Sequence, residues 1–233
     1  MRVRAAFFDV GDTLVEHWAP PERIRAVVRE ALVEAFGERG WLDALIAAEL
    51  EPTGADDPHR QETNRWYEAW FAGQGLECDV DVDRLRSAFA VPLDLVSTPA
   101  RGGAESLRWC KGRGLAVVLV TNTLSRGDAE VLRDWARFGL ADTIDAVVSS
   151  HDVGWRKPHP AIFERALALA KVRPAEAFMV GNDLEADVRG AQALGLRAVW
   201  RRLDGVPDPN AIRPDATIRT MDELPAAVWP WLS

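Results

Sequence analysis

The amino-acid sequence predicts an α/β fold, a doubly wound parallel sheet into which an all-helical domain is inserted. The first observation is an apolar run from Val3 to Phe8 that fits a buried strand. The second is an alternation of helix and strand patterns from Pro99 onward, typical of parallel strands joined by right-handed crossovers. The third is that residues 16–96 show helical periodicity and no buried strand. We therefore expect a core formed by residues 1–15 and 97–233, with residues 16–96 as a helical domain.

Length and composition restrict the classes of protein to which the chain can belong. Its 233 residues are 48% hydrophobic and 27% charged, as in an ordinary globular protein. The formal net charge of −8 argues against nucleic acid or an anionic membrane as a partner. No apolar stretch approaches the ~20 residues that a membrane helix needs, and Asp9 and Asp12 interrupt the apolar run that a signal peptide would require. Since the chain has only two cysteines, we expect it in the reducing cytoplasm. We also expect a monomer or homodimer that acts on a small molecule.

The inserted segment contains four helical patterns. In the first, apolar residues recur at three- and four-residue steps from Ile24 to Phe36, and Gly37 is a natural helix end. The other three helices are predicted at residues 41–50, 62–71 and 83–91. Between the second and third helices, residues 52–58 are rich in Gly, Asp and Pro and predict a loop.

Helices and strands alternate in the second part of the core. A continuous apolar run at residues 115–120 is typical of parallel sheets, which are buried on both faces. The helix that follows can be capped by Ser125 and ends at Gly139. Further strands are predicted at residues 144–148, 177–180, 197–200 and 216–218, and further helices at residues 103–113, from Pro158 or Pro160 onward, and before Gly195.

Polar residues follow the ends of four predicted parallel strands. These clusters are Asp9 to Thr13, Thr121-Asn122, Lys157 in its loop, and Asn182-Asp183 with Asp187. Because the carboxyl ends of parallel strands open onto one ligand-binding crevice, we expect the clusters to meet. They supply a carboxylate nucleophile, groups that hold an anion, a cation and a second acidic site, and hard oxygen ligands of this kind suit Mg²⁺.

With these clusters in order along the chain, the sequence resembles the haloacid dehalogenase-like hydrolase superfamily. The four motifs that carry the resemblance are residues 8–14, 120–122, 154–158 and 180–187. The resemblance implies a Rossmann-like core. It also implies that the helical insertion, residues 16–96, is a cap domain that closes over the active site, and we call this segment the cap.

The resemblance implies a role for each matching residue. Asp9 would attack the substrate and form a covalent aspartyl intermediate. Thr121 would hold the phosphoryl oxygens, and Lys157 would neutralise the charge shared by Asp9 and the bound group. Thr13 and Asn122 would lie on the substrate-binding side.

The resemblance also implies a Mg²⁺ site, with two departures from the usual pattern. Asp9 and the carbonyl of Gly11 would bind the metal, and Asn182, Asp183 and Asp187 would complete the site. Phosphatases of the superfamily carry a second Asp two residues after the nucleophile, which protonates the leaving group and activates the water, but here that position is Gly11. Loss of a general acid-base costs about 10²–10⁴-fold in rate. The second departure is Asn182, where a metal-binding Asp is usual.

These departures leave three interpretations open. The first is a Mg²⁺-dependent phosphatase of low or narrow activity on a small phosphorylated metabolite, with a good leaving group, a substrate group or Asp12 replacing the missing acid. The second is a 2-haloacid dehalogenase, because a leaving halide needs no proton. Asn122 resembles that branch, but Phe163 lacks the expected phenolic hydroxyl and Gly11 is not aromatic. The third is a noncatalytic binding protein that retains the fold.

Overall fold

The residues that the structure describes form one six-stranded sheet and a separate two-stranded ribbon. The computed structural model describes residues 2–17, 19–50, 60, 62–207 and 211–232. Its strands are β1 (Ala5–Phe8), β2 (Val15–His17), β3 (Ser97–Pro99), β4 (Ala116–Thr121), β5 (Ala146–Ser149), β6 (Ala177–Gly181), β7 (Arg197–Arg201) and β8 (Ala216–Ile218). The larger sheet has the order β5-β4-β1-β6-β7-β8, and all of its neighbouring strands are parallel. The predicted parallel sheet is thereby confirmed.

Helices cover both faces of this sheet. The helices of the core are α5 (Gly103–Gly112), α6 (Asp128–Arg137), α7 (Ser150–Val153), α8 (Pro160–Ala170), α9 (Gly190–Ala193) and α10 (Leu224–Val228). The helices of the cap are α1 (Pro21–Phe36), α2 (Leu42–Leu50), α3 (Thr63–Gly73) and α4 (Val82–Phe89). A π-helical segment, Leu184–Arg189, leads directly into α9. Since Ala6 and Phe8 of β1 pack with α5, α6 and α10, and Ala5 and Phe7 pack with α8 and α9, the sheet is doubly wound.

The cap helices surround a hydrophobic cluster of their own. This third cluster is made entirely of residues between Ala19 and Val96, so it is distinct from the clusters on either face of the sheet. Tyr67 and Phe71 of α3 are fully buried in it, because their spacing of four residues places them on one face of the helix. The boundaries of the cap at residues 16 and 96 stay a prediction, and the loop predicted at residues 52–58 lies outside the described residues.

Several elements differ from the sequence prediction. Residues 15–17 form β2, which pairs antiparallel with β3, so the two connections to the cap run side by side. The residue at the N-cap of α6 is Gly127 and not Ser125, whose hydroxyl donates to Glu49 of the cap. The strand predicted from residue 144 begins at Ala146, and the short helix α10 was not predicted. β2 and α10, with three and five residues, are too short to show a periodic pattern.

The helices that the structure describes are all too short or too polar to cross a lipid bilayer. The predicted oligomeric state and cellular location stay predictions.

Candidate active site

Asp9 lies at the centre of the carboxyl edge of the sheet. It follows β1, which pairs with β4 on one side and β6 on the other, so residues after these three strands are neighbours. The Asp9 amide donates to Val180 O at 2.9 Å, which continues the β1–β6 pairing and fixes the backbone. Only 8% of the residue is exposed. Its Oδ2 lies 3.2 Å from the hydroxyl of Thr13, and its Oδ1 lies 2.6 Å from Lys157 Nζ.

A tight turn follows Asp9. The carbonyl of Val10 accepts hydrogen bonds from the amides of Thr13, Leu14 and Val15. Asp12 adopts a φ of 53°, in the left-handed region that Asp tolerates better than most residues. Its side chain is exposed, so the structure does not place this carboxylate in the buried group around Asp9.

Lys157 is buried between two carboxylates. Its Nζ donates to Asp9 Oδ1 at 2.6 Å, Asp187 Oδ1 at 2.7 Å and Val120 O at 2.8 Å, so its three N–H bonds are satisfied. Asn122 holds the lysine backbone at both polar atoms: Oδ1 accepts from Lys157 N at 2.8 Å, and Nδ2 donates to Lys157 O at 3.1 Å. In this structure Asn122 therefore positions Lys157, and its predicted contact with substrate stays a prediction.

The buried ion pairs change the acidity of their members. Burial, with a smaller contribution from the neighbouring Asp9 charge, raises the pKa of Asp187 to about 7, although Lys157 opposes this shift. Burial alone would lower the pKa of Lys157, but the charges of Asp187 and Asp9 outweigh it and raise that pKa. Lys157 therefore stays protonated and is available to neutralise an anionic ligand.

The fourth motif is held in place by its own side chains. Asp183 caps the π-helical segment, because its Oδ1 accepts from the amides of Glu185 and Ala186, both at 2.8 Å. Asp187 Oδ2 accepts from Asp183 N at 3.0 Å while its Oδ1 binds Lys157. The structure therefore brings Asp187 to Asp9, whereas Asp183 is exposed. Their predicted role as metal donors stays a prediction.

Replacement of Gly181 by Ala is expected to destabilise the fold. A Cβ at this position would lie 2.1 Å from Asp187 Oδ2, so the carboxylate that faces Lys157 would have to move. We expect a loss of about 1–3 kcal/mol in the free energy of unfolding, measured by chemical denaturation. The matched control is Gly112→Ala in α5, where a Cβ meets nothing within 4 Å and no loss is expected. Equal stability of both variants would contradict the close packing of Asp187.

Thr121 and Asn182 complete the group of predicted residues. Thr121 ends β4 beside Asp9 and is buried, yet within the described ranges its hydroxyl has no hydrogen-bond partner, which leaves it available to a ligand. Asn182 Oδ1 lies 3.4 Å from the hydroxyl of Thr13, on which Asp9 Oδ2 also converges. An amide oxygen and a carboxylate oxygen thus both lie within hydrogen-bond distance of the Thr13 hydroxyl.

The four sequence motifs do not include two further residues that lie at this edge of the sheet. Arg201 is buried at the end of β7 and donates to main-chain carbonyls of the turn after Asp9. The preceding Trp200 donates from its indole to the carbonyl of Asn182. The sequence contained a signal for Arg201, because a charged residue at the carboxyl end of a buried strand is unusual, as it is for Asp9.

The fold and this site define the class of protein. A doubly wound sheet with a helical insertion and a buried aspartate–lysine pair at its carboxyl edge is what the resemblance to the haloacid dehalogenase-like superfamily implies. The sequence model of the family described as haloacid dehalogenase-like hydrolase matches residues 3–195. The chain belongs to this family.

Individual relatives include phosphatases and a dehalogenase. The chain is 34% identical over 211 residues to the glyceraldehyde 3-phosphate phosphatase of Pyrococcus furiosus, which covers 85% of this chain and 80% of the relative. A phosphatase of Thermococcus onnurineus superposes with a TM-score of 0.65 at 25% identity, covering 97% of this chain and 98% of its own. The 2-haloacid dehalogenase of Pseudomonas syringae pv. Tomato DC3000 superposes with a TM-score of 0.68 at 25% identity, covering 98% of this chain and 99% of its own. The chain spans only 37% to 44% of the length of three other curated relatives that it matches.

Proposed function

We propose that this protein is a Mg²⁺-dependent phosphatase of a small phosphorylated metabolite, with Asp9 as the nucleophile. The observation that carries the proposal is the contact between Lys157 Nζ and Asp9 Oδ1, at 2.6 Å in a buried site. A buried lysine beside the carboxylate can offset the charge of a phosphoryl group. The hydroxyl of Thr121, which has no hydrogen-bond partner among the described residues, adds a donor on the neighbouring strand. The relative from Pyrococcus furiosus, which is named a phosphatase, supports the same activity.

The proposed reaction has two displacement steps at phosphorus. An oxygen of Asp9 forms a bond to the phosphorus atom while the bond to the leaving-group oxygen breaks, and that oxygen keeps the electron pair. Water then attacks the phosphorus of the aspartyl phosphate and the bond to the Asp9 oxygen breaks, which restores the carboxylate, releases hydrogen phosphate and leaves one proton to solvent. In both steps Lys157 and Thr121 would stabilise the charge on the phosphoryl oxygens.

The oxygen atoms near Asp9 suit Mg²⁺. Among the residues described, no group of three or more His, Cys, Asp or Glu side chains could hold a metal ion. The donors that we propose are Asp9, the carbonyl of Gly11 and Asn182 Oδ1, of which only the first is charged. When bound, Mg²⁺ would offset the negative charge that the phosphoryl group brings to this edge.

Gly11 points to the type of leaving group. The acid that protonates the leaving oxygen in related phosphatases is missing there, and the nearby Asp12 is turned toward solvent. An oxygen that leaves without a proton must belong to a weak base. We therefore propose that the substrate is a phosphate with a stable leaving anion, such as an aryl or enol phosphate or an acyl phosphate.

Replacement of Gly11 by Asp is expected to raise the hydrolysis of alkyl phosphates. A Cβ at Gly11 meets nothing within 4 Å, and the residue is not in the left-handed region, so a side chain fits. We expect kcat for an alkyl phosphate to rise by about 10²-fold or more, and that for an aryl phosphate to change much less. Gly11→Asn is the matched control, because an Asn side chain has nearly the same shape as Asp but no acidic proton to donate. If Gly11→Asp folds and brings no gain, the missing acid does not limit the reaction.

A second candidate function is the hydrolysis of a carbon–halogen bond. It is favoured by Gly11, since a halide leaves without a proton, and by the fold of the Pseudomonas syringae dehalogenase. The contacts of Asn122 weigh against it, because both polar atoms of this amide are taken up by the backbone of Lys157. Phe163, which lacks the phenolic hydroxyl expected of a dehalogenase, also weighs against it, because its ring is fully buried in the core cluster on one face of the sheet.

Hydrolysis of an aryl phosphate with and without Mg²⁺ tests the proposal. An aryl leaving group departs without protonation, so the assay does not depend on an acid at position 11. We expect phosphate release that requires Mg²⁺. Release of halide from a 2-haloacid, together with no phosphate release, would establish the second candidate instead.

A further inference from the structure

The carboxyl end of β7 connects the two loops that surround Asp9. This strand contributes no residue to the four motifs, yet its last two residues, Trp200 and Arg201, are 1% and 4% exposed. Both side chains hydrogen-bond to main-chain carbonyls, one in the turn after Asp9 and the other in the fourth motif. Each of these two hydrogen bonds therefore fixes the orientation of a main-chain peptide group.

Arg201 holds the turn after Asp9. Its Nη1 donates to Asp12 O at 2.6 Å and to Thr13 O at 3.1 Å. Its Nη2 donates to the carboxylate of Glu16 in β2, which is half-exposed. The arginine therefore stabilises the left-handed backbone of Asp12 and ties it to the strand that enters the cap.

Trp200 holds the other loop. Its indole Nε1 donates to Asn182 O at 3.0 Å, and its ring is part of the cluster on one face of the sheet. Rings packed in a close-packed core move little, so this donor is a fixed reference point for the peptide of Asn182. The side chain of Asn182 faces the other loop: its Oδ1 lies 3.4 Å from the hydroxyl of Thr13, which belongs to the turn that Arg201 holds.

We propose that Trp200 and Arg201 are positioning residues that set the distance between the Asp9–Thr13 turn and Asn182. This inference rests on the proposed function, in which Asp9, the Gly11 carbonyl and Asn182 bind Mg²⁺. Two of these donors depend directly on backbone orientation, since one is a carbonyl and the other a short side chain. Because Asn182 is uncharged, metal affinity depends on the exact approach of its oxygen, and a fixed backbone compensates for the missing charge.

Trp200→Phe is the variant that tests this role most cleanly. It keeps an aromatic ring in the core and removes the donor to Asn182 O. We expect the dissociation constant for Mg²⁺, measured by calorimetric titration of the metal alone, to rise about 10-fold. At saturating Mg²⁺, the kcat for an aryl phosphate should recover most of its original value, since the loss concerns metal binding and not chemistry.

Trp135→Phe is the matched control. Trp135 is 1% exposed, packs in the core cluster on the opposite face, and its indole N–H has no hydrogen-bond partner among the described residues. The substitution therefore removes an equal volume from the core without a lost contact at the site. We expect unchanged Mg²⁺ affinity, even where the midpoint of thermal unfolding falls as much as in Trp200→Phe.

Arg201 is tested by a graded pair of variants. Arg201→Met removes every donor to the turn and Arg201→Lys retains one cationic donor, so Mg²⁺ affinity should fall in the order Arg, Lys, Met. Glu16→Gln keeps the contacts to Asp12 and Thr13 and should leave this affinity nearly unchanged. Wild-type affinity in folded Trp200→Phe and Arg201→Lys would overturn the inference and leave the proposed function standing. Absence of Mg²⁺ binding by the unaltered protein would overturn both.

Discussion

Replacement of Asp9 by Asn is expected to abolish turnover and leave the fold intact. The amide oxygen is a poor nucleophile, so no covalent intermediate forms, and we expect kcat for an aryl phosphate to fall at least about 10³-fold. The fold survives because Lys157 keeps Asp187 as a buried partner at 2.7 Å and Val120 O at 2.8 Å. The measurement is phosphate release at saturating Mg²⁺, with circular dichroism to establish that the variant is folded.

Asp12→Asn is the matched control for this prediction. It makes the same chemical change three residues along the chain, where the side chain is exposed. Asn, like Asp, tolerates the left-handed backbone conformation of this residue. We expect its kcat to stay within about 2-fold of the original, since an exposed side chain outside the reacting group has little influence. A large loss in Asp12→Asn would show that this carboxylate replaces the missing acid, and wild-type turnover by Asp9→Asn would exclude Asp9 as the nucleophile.

Replacement of Lys157 by Met has the largest expected effect on stability. It leaves Asp9 and Asp187 buried side by side without a cation, and removal of one partner from a buried ion pair costs about 3–5 kcal/mol. Activity is expected to fall as well, by about 10²-fold or more, because the charge on the phosphoryl group is no longer offset. Chemical denaturation and the aryl phosphate assay measure the two effects separately.

Lys111→Met is the matched control for the loss of a lysine. Lys111 pairs with Asp145 at 2.5 Å, but their side chains are 33% and 42% exposed. Because an exposed pair contributes about 0–1 kcal/mol, we expect little change in stability or activity. The double variant Lys157→Met with Asp187→Asn should recover part of the lost stability and none of the activity. Equal stability of Lys157→Met and Lys111→Met would contradict the buried ion pair.

Much of the fold could be predicted because its signals are local. The apolar run of β4 and the abrupt change to polar residues at Asp9 each follow from burial within a few consecutive residues. Parallel strands place their carboxyl ends at one edge of the sheet, so polar residues near Asp9 could be expected, and the structure places Lys157 and Asp187 there.

The remaining features depend on contacts between distant residues. Ser125 looked like a helix cap, but its hydroxyl donates to Glu49 of the cap, 76 residues away. Thr63 likewise donates to Leu124 O, so the cap contacts the loop after the second motif through polar side chains on helices whose patterns show only their apolar faces. Asn122 resembled a ligand-binding residue because an amide can bind a substrate or a backbone equally well, and only the fold shows that it binds the backbone of Lys157.

Detection of a phosphoryl group on Asp9 tests the central claim most directly. The protein is mixed with an aryl phosphate and Mg²⁺, the reaction is stopped with acid within the first turnover, and peptides are analysed by mass spectrometry. We predict that the peptide containing Asp9 gains the mass of one phosphoryl group, and that the same peptide of Asp9→Asn does not. Turnover of the aryl phosphate with the label on another residue, or with no labelled residue at any quench time, would contradict Asp9 as the nucleophile.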